Sequence, residues 1–215
     1  MDLDDPIYEF PAVDTAHSSG VLVYGGDLSV GRLMSAYRNG IFPWFNPGER
    51  ITWFAPKKRM VLFPEHFLPS KSLRKTIRKN VFIVTFNTHF RSVISNCKNI
   101  ERNGQFGTWI SNELLESYCE LHNLGFAKSV EVWQNNELVG GLYGIDLGHV
   151  FCGESMFAKV TDASKVAFCF LVDYLKCHHY QLLDCQVHNE HLESLGCSEI
   201  DRILFMKILK GEQEM

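Results

Sequence analysis

Glu154 stands in the stretch VFCGESMF, residues 150–157, beside Val150, Phe151, Met156 and Phe157. A carboxylate among apolar side chains is costly unless it shifts its pKa or finds a partner. A second acid, Asp184, lies in QLLDCQ, 181–186, where the flanking pattern is that of a buried strand. Strand alternation puts Asp184 and Gln186 on one face and Cys185 on the other. An acid and an amide two residues apart can touch a common ligand and each other. The same pair also suits a structural role, capping nearby backbone. If the strands carrying Glu154 and Asp184 are neighbours, their ends face one cleft. Two carboxylates in an apolar cleft suit a cationic group beside a hydrophobic one.

Other reactive side chains are less well placed. Cys185 with His188 or His191 as base has the residue types of a thiol nucleophile. Alternation turns that thiol away from Asp184 and Gln186, and no glycine-rich nucleophile turn surrounds it. His188 and His191 form HxxH, with His178–His179 upstream. The spacing matches no specific zinc pattern, and no metal is expected. Trp44 in FPWF, Trp53 in ITWF and Trp109 after QFGT sit near turn residues. A tryptophan there either packs under a loop or offers its ring face to a base.

Charge is unevenly spread. Residues 57–79 hold Lys57, Lys58, Arg59, Lys71, Arg74, Lys75, Arg78 and Lys79 against Glu65 alone, so the stretch is +7 in a chain of net −4 and the remainder is −11. Lys71, Arg74, Lys75 and Arg78 recur at i, i+3, i+4 and i+7, one face of a helix that Ser70 can cap, with Leu73 and Ile77 on another. A stripe of one sign is either a solvated helix face or an electrostatic footprint for phosphates.

The elements that must hold these groups read as follows. Residues 1–20 are polar and aperiodic. Asp27 or Ser29 caps a helix from about 30 to 39, with Leu33, Ala36 and Tyr37 on one face and Gly40 in the C-terminal glycine position. ITWFAP and RMVLFPE read as short strands ending at prolines. Together these form a small N-terminal domain, 1–64, followed by a basic connector and helix, 65–79. From 80 to 215 the pattern is α/β. VFIVTF is a strand; HFRSVISNCKNI and SNELLESYCELHNLG are helices. VEVW, LVGGLYGI and HVFCGESMF form a meander with turns at Asn135–Asn136 and Asp146–Leu147–Gly148. A helix capped by Asp162 runs from about 162 to 177, QLLDCQ is a strand, and EIDRILFMKILK is a closing helix or helical tail. This order implies an α+β domain with a mixed, largely antiparallel sheet, similar to the acetyltransferase-like fold.

With 215 residues, 46% hydrophobic and 21% charged, the chain is long and apolar enough for a core without staples. Its seven cysteines form no CxxC and no secretory leader precedes them, which implies reduced thiols in a cytoplasmic protein. No apolar run is long enough to span a bilayer.

YGGDLSVGRLMSAYRNGIFPWF, GTWI, SVEVW, LVGGLYGI, VFCGESMF, DASK and LLDCQVHNEHLESLG follow one another in order from about 20 to 200. In this the chain resembles the leucyl/phenylalanyl-tRNA–protein transferase family. The resemblance implies transfer of Leu or Phe from aminoacyl-tRNA to the N-terminus of proteins beginning with Arg or Lys, marking them for N-degron degradation; the sequence leaves the donor preference among Leu, Phe and Met open. It also implies no metal or organic cofactor; a monomer is the default expectation. By resemblance, Trp44 and Trp109 hold the 3′-terminal adenosine. Leu142, Phe151 and Gly153 belong to the aminoacyl pocket. Glu154, Asp184 and Gln186 form the catalytic centre with Asn189 nearby, and Lys71, Arg74, Lys75 and Arg78 follow the acceptor stem. Strict alternation places Phe151 and Glu154 on opposite faces, so either Gly153 marks a bulge or one of the two lies outside the pocket. Two other functions compete. An acyl-CoA-dependent N-acyltransferase would want a glycine-rich loop where FAKVTDASK stands. A non-enzymatic RNA-binding module leaves Glu154, Asp184 and Gln186 unexplained.

Overall fold

The computed structural model describes residues 8–100 and 109–212. Its elements, in chain order, are β1 (Val21–Tyr24), α1 (Val30–Arg38), β2 (Phe42–Pro43), β3 (Thr52–Phe54), β4 (Lys58–Leu62), α2 (Lys71–Arg78), β5 (Ile83–Phe86), α3 (Phe90–Asn99), α4 (Asn112–Asn123), β6 (Ala127–Gln134), β7 (Glu137–Asp146), β8 (Val150–Ala158), α5 (Ala163–Cys177), β9 (Leu182–Gln186), α6 (Glu190–Glu193), β10 (Ser198–Asp201) and α7 (Arg202–Leu209).

Local chemistry explains where the helices begin. Ser29, Ser70 and Ser111 each accept a hydrogen bond from the backbone N–H three residues on, opening α1, α2 and α4. Asp162 precedes α5 without capping it through its side chain. Its carboxylate instead accepts from Thr76 Oγ1 at 3.1 Å, tying α2 to the start of α5. Asn135 and Asn136 both take positive φ, as a two-residue turn between twisted strands requires.

The strands form two sheets. A small one has the order β1-β3-β2 and a large one the order β10-β4-β9-β8-β7-β6-β5. In the large sheet only the β8–β9 pairing is parallel. One face is covered by α5, with Leu73 of α2 joining that layer. The other is covered by α1, α3, α4, α7 and the small sheet. The mixed, largely antiparallel sheet with helices on both faces is the acetyltransferase-like α+β architecture.

Two sequence expectations need correcting. RMVLFPE, grouped by sequence with the N-terminal unit, is β4, and it inserts between β10 and β9 of the large sheet. Arg59, Met60, Val61 and Leu62 are all buried, the mark of a strand covered on both faces. EID is not the start of a helix. It belongs to β10, the four-residue edge strand Ser198–Asp201 against Lys58–Val61, and the helix begins only at Arg202. A short polar strand carries little periodic signal, so the apolar run after it dominates the sequence pattern.

Candidate active site

The site forms where the two parallel strands part. β8 and β9 pair at Val150↔Leu182, Phe151↔Leu183 and Cys152↔Asp184, and no further. Each strand then carries one extra residue. On β8, Gly153 faces Gly144 and Ser155 faces Tyr143, so Glu154 is the bulged residue. On β9, Asp184 faces Val61 and Gln186 faces Met60, so Cys185 is the bulged residue. A bulge bends its strand and re-aims its side chains. Gln186 adds a positive φ of 67°, turning the chain again.

These irregularities open a cleft of about 460 Å³ lined from both faces of the sheet. On the α5 side its walls are Leu142, Met156, Phe168, Leu171, Leu183 and Cys185. On the other side stand Phe42, Trp44, Trp109, Tyr143 and Phe157, with Asn189, His191 and Leu192 completing the lining. Glu154 and Gln186 occupy the seam. Gln186 Nε2 donates to Glu154 Oε1 at 2.6 Å, and Tyr118 Oη donates to Glu154 Oε2 at 3.0 Å. Tyr37 of α1 hydrogen-bonds Tyr118 of α4 hydroxyl to hydroxyl. Glu154 is half-buried at the cleft floor. Burial raises its pKa to about 7; the Tyr37 and Tyr118 hydroxyls pull it down, the Asp184 charge pushes it up and the Gln186 amide pulls it down. Burial and the Glu154 charge hold both tyrosines well above the usual phenol range, so they stay neutral donors.

Asp184 does not face the cleft. It is fully buried and accepts from Arg59 twice, Nε to Oδ1 at 2.8 Å and Nη2 to Oδ2 at 2.7 Å. The third arm of Arg59, Nη1, donates to the Gly40 carbonyl at 3.1 Å, and the guanidinium lies between the Phe42 and Phe205 rings. Burial works against the Arg59 charge, but Asp184 outweighs it and keeps the pKa above its usual value. Asp184 Oδ1 also accepts the Gln186 backbone N–H at 2.9 Å. Alternation therefore fails for the Asp184/Gln186 pair. The bulge and the left-handed Gln186 backbone send the amide to Glu154 while the acid stays behind the sheet. Arg59, counted by sequence in the basic surface stretch, is an interior ion-pair partner.

Phe151 is likewise behind the wall. It is 2% exposed and not part of the cleft lining. Its ring packs where a Cβ on Gly144 would meet it at 2.5 Å, so glycine at 144 makes its seat. Gly153 does mark a bulge, with Glu154 directly after it as the extra residue, and Gly153 itself lines the cleft with Leu142. Of the tryptophans, Trp44 and Trp109 border the cleft. Trp53 is fully buried and donates Nε1–H to the Gly25 carbonyl at 2.8 Å, a packing role. Asn189 caps α6 through Oδ1, accepting from His191 N at 2.9 Å and Leu192 N at 3.3 Å.

The alternatives to this centre are weak. Cys185 lies 3.7 Å from the Cys197 sulfur, and that contact with burial holds its thiol well above the usual range, so it is not a ready thiolate. His188 is exposed beside Glu193 at 3.3 Å. Among the described residues no three His, Cys, Asp or Glu side chains converge to hold a metal. No described helix is long and apolar enough to cross a membrane. Lys71, Arg74, Lys75 and Arg78 are all exposed on α2 with no acidic partner among the described residues.

Sequence reading missed Tyr37, Tyr118 and Arg59. A signal existed for the tyrosines: each falls on the core face of its helix, and a buried tyrosine hydroxyl requires a partner. For Arg59 the nearest signal was a lone acid, Asp184, in an otherwise apolar strand.

Two family models match the chain: the leucyl/phenylalanyl-tRNA protein transferase model over residues 61–210 and the N-terminal domain model of the same transferase over 26–57. A leucyl/phenylalanyl-tRNA–protein transferase from Flavobacterium johnsoniae is 64% identical over 203 residues, covering 94% of this chain and 96% of that one. The like-named protein of Flavobacterium psychrophilum is 60% identical, covering 94% and 95%. Among solved structures, that of FemX superposes with a TM-score of 0.54 at 10% identity, covering 80% of this chain and 67% of the other, a likeness of fold. The chain belongs to the leucyl/phenylalanyl-tRNA protein transferase family.

Proposed function

We propose that this chain moves Leu or Phe from the 3′ end of an aminoacyl-tRNA to the N-terminal α-amine of proteins beginning with Arg or Lys, a cytoplasmic reaction that marks those proteins for N-degron degradation. Family membership makes the chain an aminoacyltransferase. The observation that supports the finer reading is the Glu154–Gln186 pair at the seam between an apolar half-cleft and a tryptophan-walled half-cleft.

The two halves suit the two parts of the donor. Leu142, Met156, Phe168, Leu171 and Leu183 offer apolar walls to a leucyl or phenylalanyl side chain, with Gly153 leaving room. Trp44 and Trp109 offer ring faces to the terminal adenine. The ester carbonyl then lies near the seam. The Gln186 amide nitrogen is committed to Glu154, which leaves its carbonyl oxygen to accept an N–H from the attacking amine. Asp184 and Arg59 act one step back, fixing the Gln186 backbone.

The chemistry needs no enzyme nucleophile. The neutral α-amine attacks the ester carbon, the C–N bond forms, and the bond to the ribose 3′-oxygen breaks. The amine loses one proton and the leaving oxygen gains one. With a pKa of about 7 against 7.7–8.0 for a free α-amine, Glu154 can hold an ammonium or take its proton at working pH. Positioning supplies the rest; holding amine and ester about 3–3.5 Å apart can be worth roughly 7–11 kcal/mol. The exposed cations of α2 would follow the acceptor-stem backbone.

The test is transfer of labelled Phe from Phe-tRNA to a peptide beginning with Arg, beside one beginning with Ala, with Glu154→Gln and Gln186→Asn alongside. The expected result is transfer to the Arg peptide alone, reduced in both variants. Equal transfer to both peptides would overturn the acceptor specificity. Folded protein that binds tRNA and transfers nothing would overturn the reaction.

A further inference from the structure

The small sheet carries a surface that runs on from the cleft beyond Trp44. Thr52 of β3 pairs with Tyr24 of β1 on one side. On the other side its carbonyl accepts the Trp44 backbone N–H at 2.9 Å. Residues directly opposite across antiparallel strands point to one face. Tyr24 and Trp44 therefore flank Thr52 on the same face, about two strand spacings, roughly 10 Å, apart. Both are exposed, 55% and 45%. Thr52 between them is 9% exposed and folds its hydroxyl back onto the Arg50 carbonyl at 3.0 Å, so the floor is low. The Arg50 guanidinium lies 5.8 Å from the Tyr24 ring centroid and pairs with no carboxylate among the described residues. The backbone beside Tyr24 is also tied down. The next residue, Gly25, donates to the Ile51 carbonyl at 2.7 Å and accepts from buried Trp53 Nε1 at 2.8 Å.

We infer that Tyr24 and Arg50 form a second nucleotide station, which stacks a base of the single-stranded 3′ end just inside the terminal adenosine and neutralises a phosphate beside it. The inference rests on the proposed reading of Trp44 as the adenosine wall. Trp44 belongs to both surfaces: it lines the 460 Å³ cleft and stands at the end of the exposed stripe. A strand whose last base meets Trp44 leaves the cleft over Thr52 and reaches Tyr24 next. Alternating aromatic faces with a cation is the arrangement that binds single strands without reading sequence. Trp44 rests against the Phe54 ring at 5.5 Å and Tyr24 against Arg50 at 5.8 Å, contacts that reduce the ordering cost on binding. Arg50 supplies the charge that complements a phosphate, which a peptide acceptor beginning with Arg or Lys does not want.

The experiment measures the Kd of an RNA hairpin with a single-stranded 3′ extension ending in adenosine, and of the same hairpin trimmed to its last base pair. The proteins are the full chain and its Tyr24→Ala, Tyr24→Phe, Arg50→Gln and Trp44→Ala variants, each checked for an unchanged melting temperature. Tyr24→Ala should weaken binding of the extended hairpin about 5- to 150-fold, the range expected for one stacked base. It should leave the trimmed hairpin unaffected, and Tyr24→Phe should bind like the unmodified chain. Arg50→Gln should flatten the salt dependence of the extended hairpin by about 0.7 in log–log slope. Tyr24→Ala binding the extended hairpin normally while Trp44→Ala does not would overturn the second station and leave the proposed function standing. Tyr24→Ala raising KM for the acceptor peptide with RNA binding intact would also overturn it, assigning the stripe to the other substrate. Failure of Trp44→Ala and of trimming to matter at all would overturn the adenosine reading itself.

Discussion

Arg59 and Asp184 meet through paired bonds of 2.7 and 2.8 Å inside the large sheet, although 125 residues separate them in the chain. Neither side chain sees solvent: they are 2% and 0% exposed. The pair joins β4 to β9 at the level where β8 leaves β9, and through Asp184 it grips the Gln186 backbone. Asp184→Ala should therefore lower stability before it reveals anything about chemistry. Removing one partner of a buried pair leaves an uncompensated charge, at a cost of about 3–5 kcal/mol. In a chain of this size that corresponds to a fall in Tm of roughly 6–20 °C. The double variant Arg59→Met/Asp184→Leu should recover much of that loss, because it leaves no orphaned charge. Its turnover should stay low, since the Gln186 N–H has lost its acceptor. Thermal unfolding beside single-turnover transfer separates the two effects. A double variant as unstable as Asp184→Ala would show that the ion pair is not what holds β4 to β9.

Glu154 should make the protein less stable as pH rises. Its carboxyl has a folded pKa of about 7 against 4.5 when unperturbed. Between those values the folded state keeps a proton that the unfolded chain releases. Stability contributed by the neutral form is thus full below about pH 4.5 and is lost as pH climbs through 7. The shift corresponds to roughly 3–4 kcal/mol, and less where cleft water screens the charge. Glu154→Gln removes this titration. Its Tm should exceed that of the unmodified protein by a margin that widens by several degrees from pH 5.5 to pH 8.5. A margin constant with pH would place the carboxyl pKa near its ordinary value.

Gln186→Asn should separate fold from chemistry. Position 186 needs a positive φ, which asparagine tolerates better than alanine does. The shorter amide cannot span the 2.6 Å bond to Glu154 from the same backbone. A hydrogen bond to a charged group is worth about 1.5–3 kcal/mol, so kcat/KM should fall roughly 10- to 150-fold with little change in Tm. The loss should appear in kcat rather than in donor affinity, because Trp44, Trp109 and the apolar wall are untouched. A variant that binds donor poorly but turns over at a normal rate would reassign Gln186 to binding.

The sequence made the helices legible because their signals are local. Ser29, Ser70 and Ser111 sit within a turn of the N–H groups they cap, and the Leu33, Ala36 and Tyr37 face repeats within three turns. The site was less legible because it depends on two single-residue offsets. Period-2 alternation reverses faces after one bulge; Gly153 announces the bulge at Glu154, but the one at Cys185 has no glycine or proline beside it. That is why Asp184 was expected beside Gln186 in the cleft and lies behind it. Phe151 was placed in the pocket by resemblance, and alternation alone already put it on the face opposite Glu154. Arg59 was opaque for a different reason. Its neighbours Lys57 and Lys58 are solvent-exposed, and only a partner far away in the chain distinguishes it from them. Glu154 and Gln186, which meet at the cleft seam, were legible through residue type: polar groups stranded in apolar strands.

The cations of α2 should act on RNA through phosphates alone. Lys71, Arg74, Lys75 and Arg78 are exposed, while Leu73 of the same helix is buried against the α5 layer and Thr76 is bonded to Asp162. The helix is thus anchored by one face with its charges turned outward. Lys75→Gln and Arg78→Gln should leave Tm unchanged and weaken tRNA binding uniformly across tRNA sequences. Each should also reduce the slope of log Kd against log salt by about 0.9 per lost contact to duplex phosphate. The two effects should add in the double variant, since counterion release counts contacts. Filter binding or anisotropy from 50 to 200 mM salt, about a fourfold range, is wide enough to resolve a unit change in slope. A slope unchanged by both substitutions would mean that the acceptor stem crosses another face, and α2 would then be a solvated helix whose charges serve solubility.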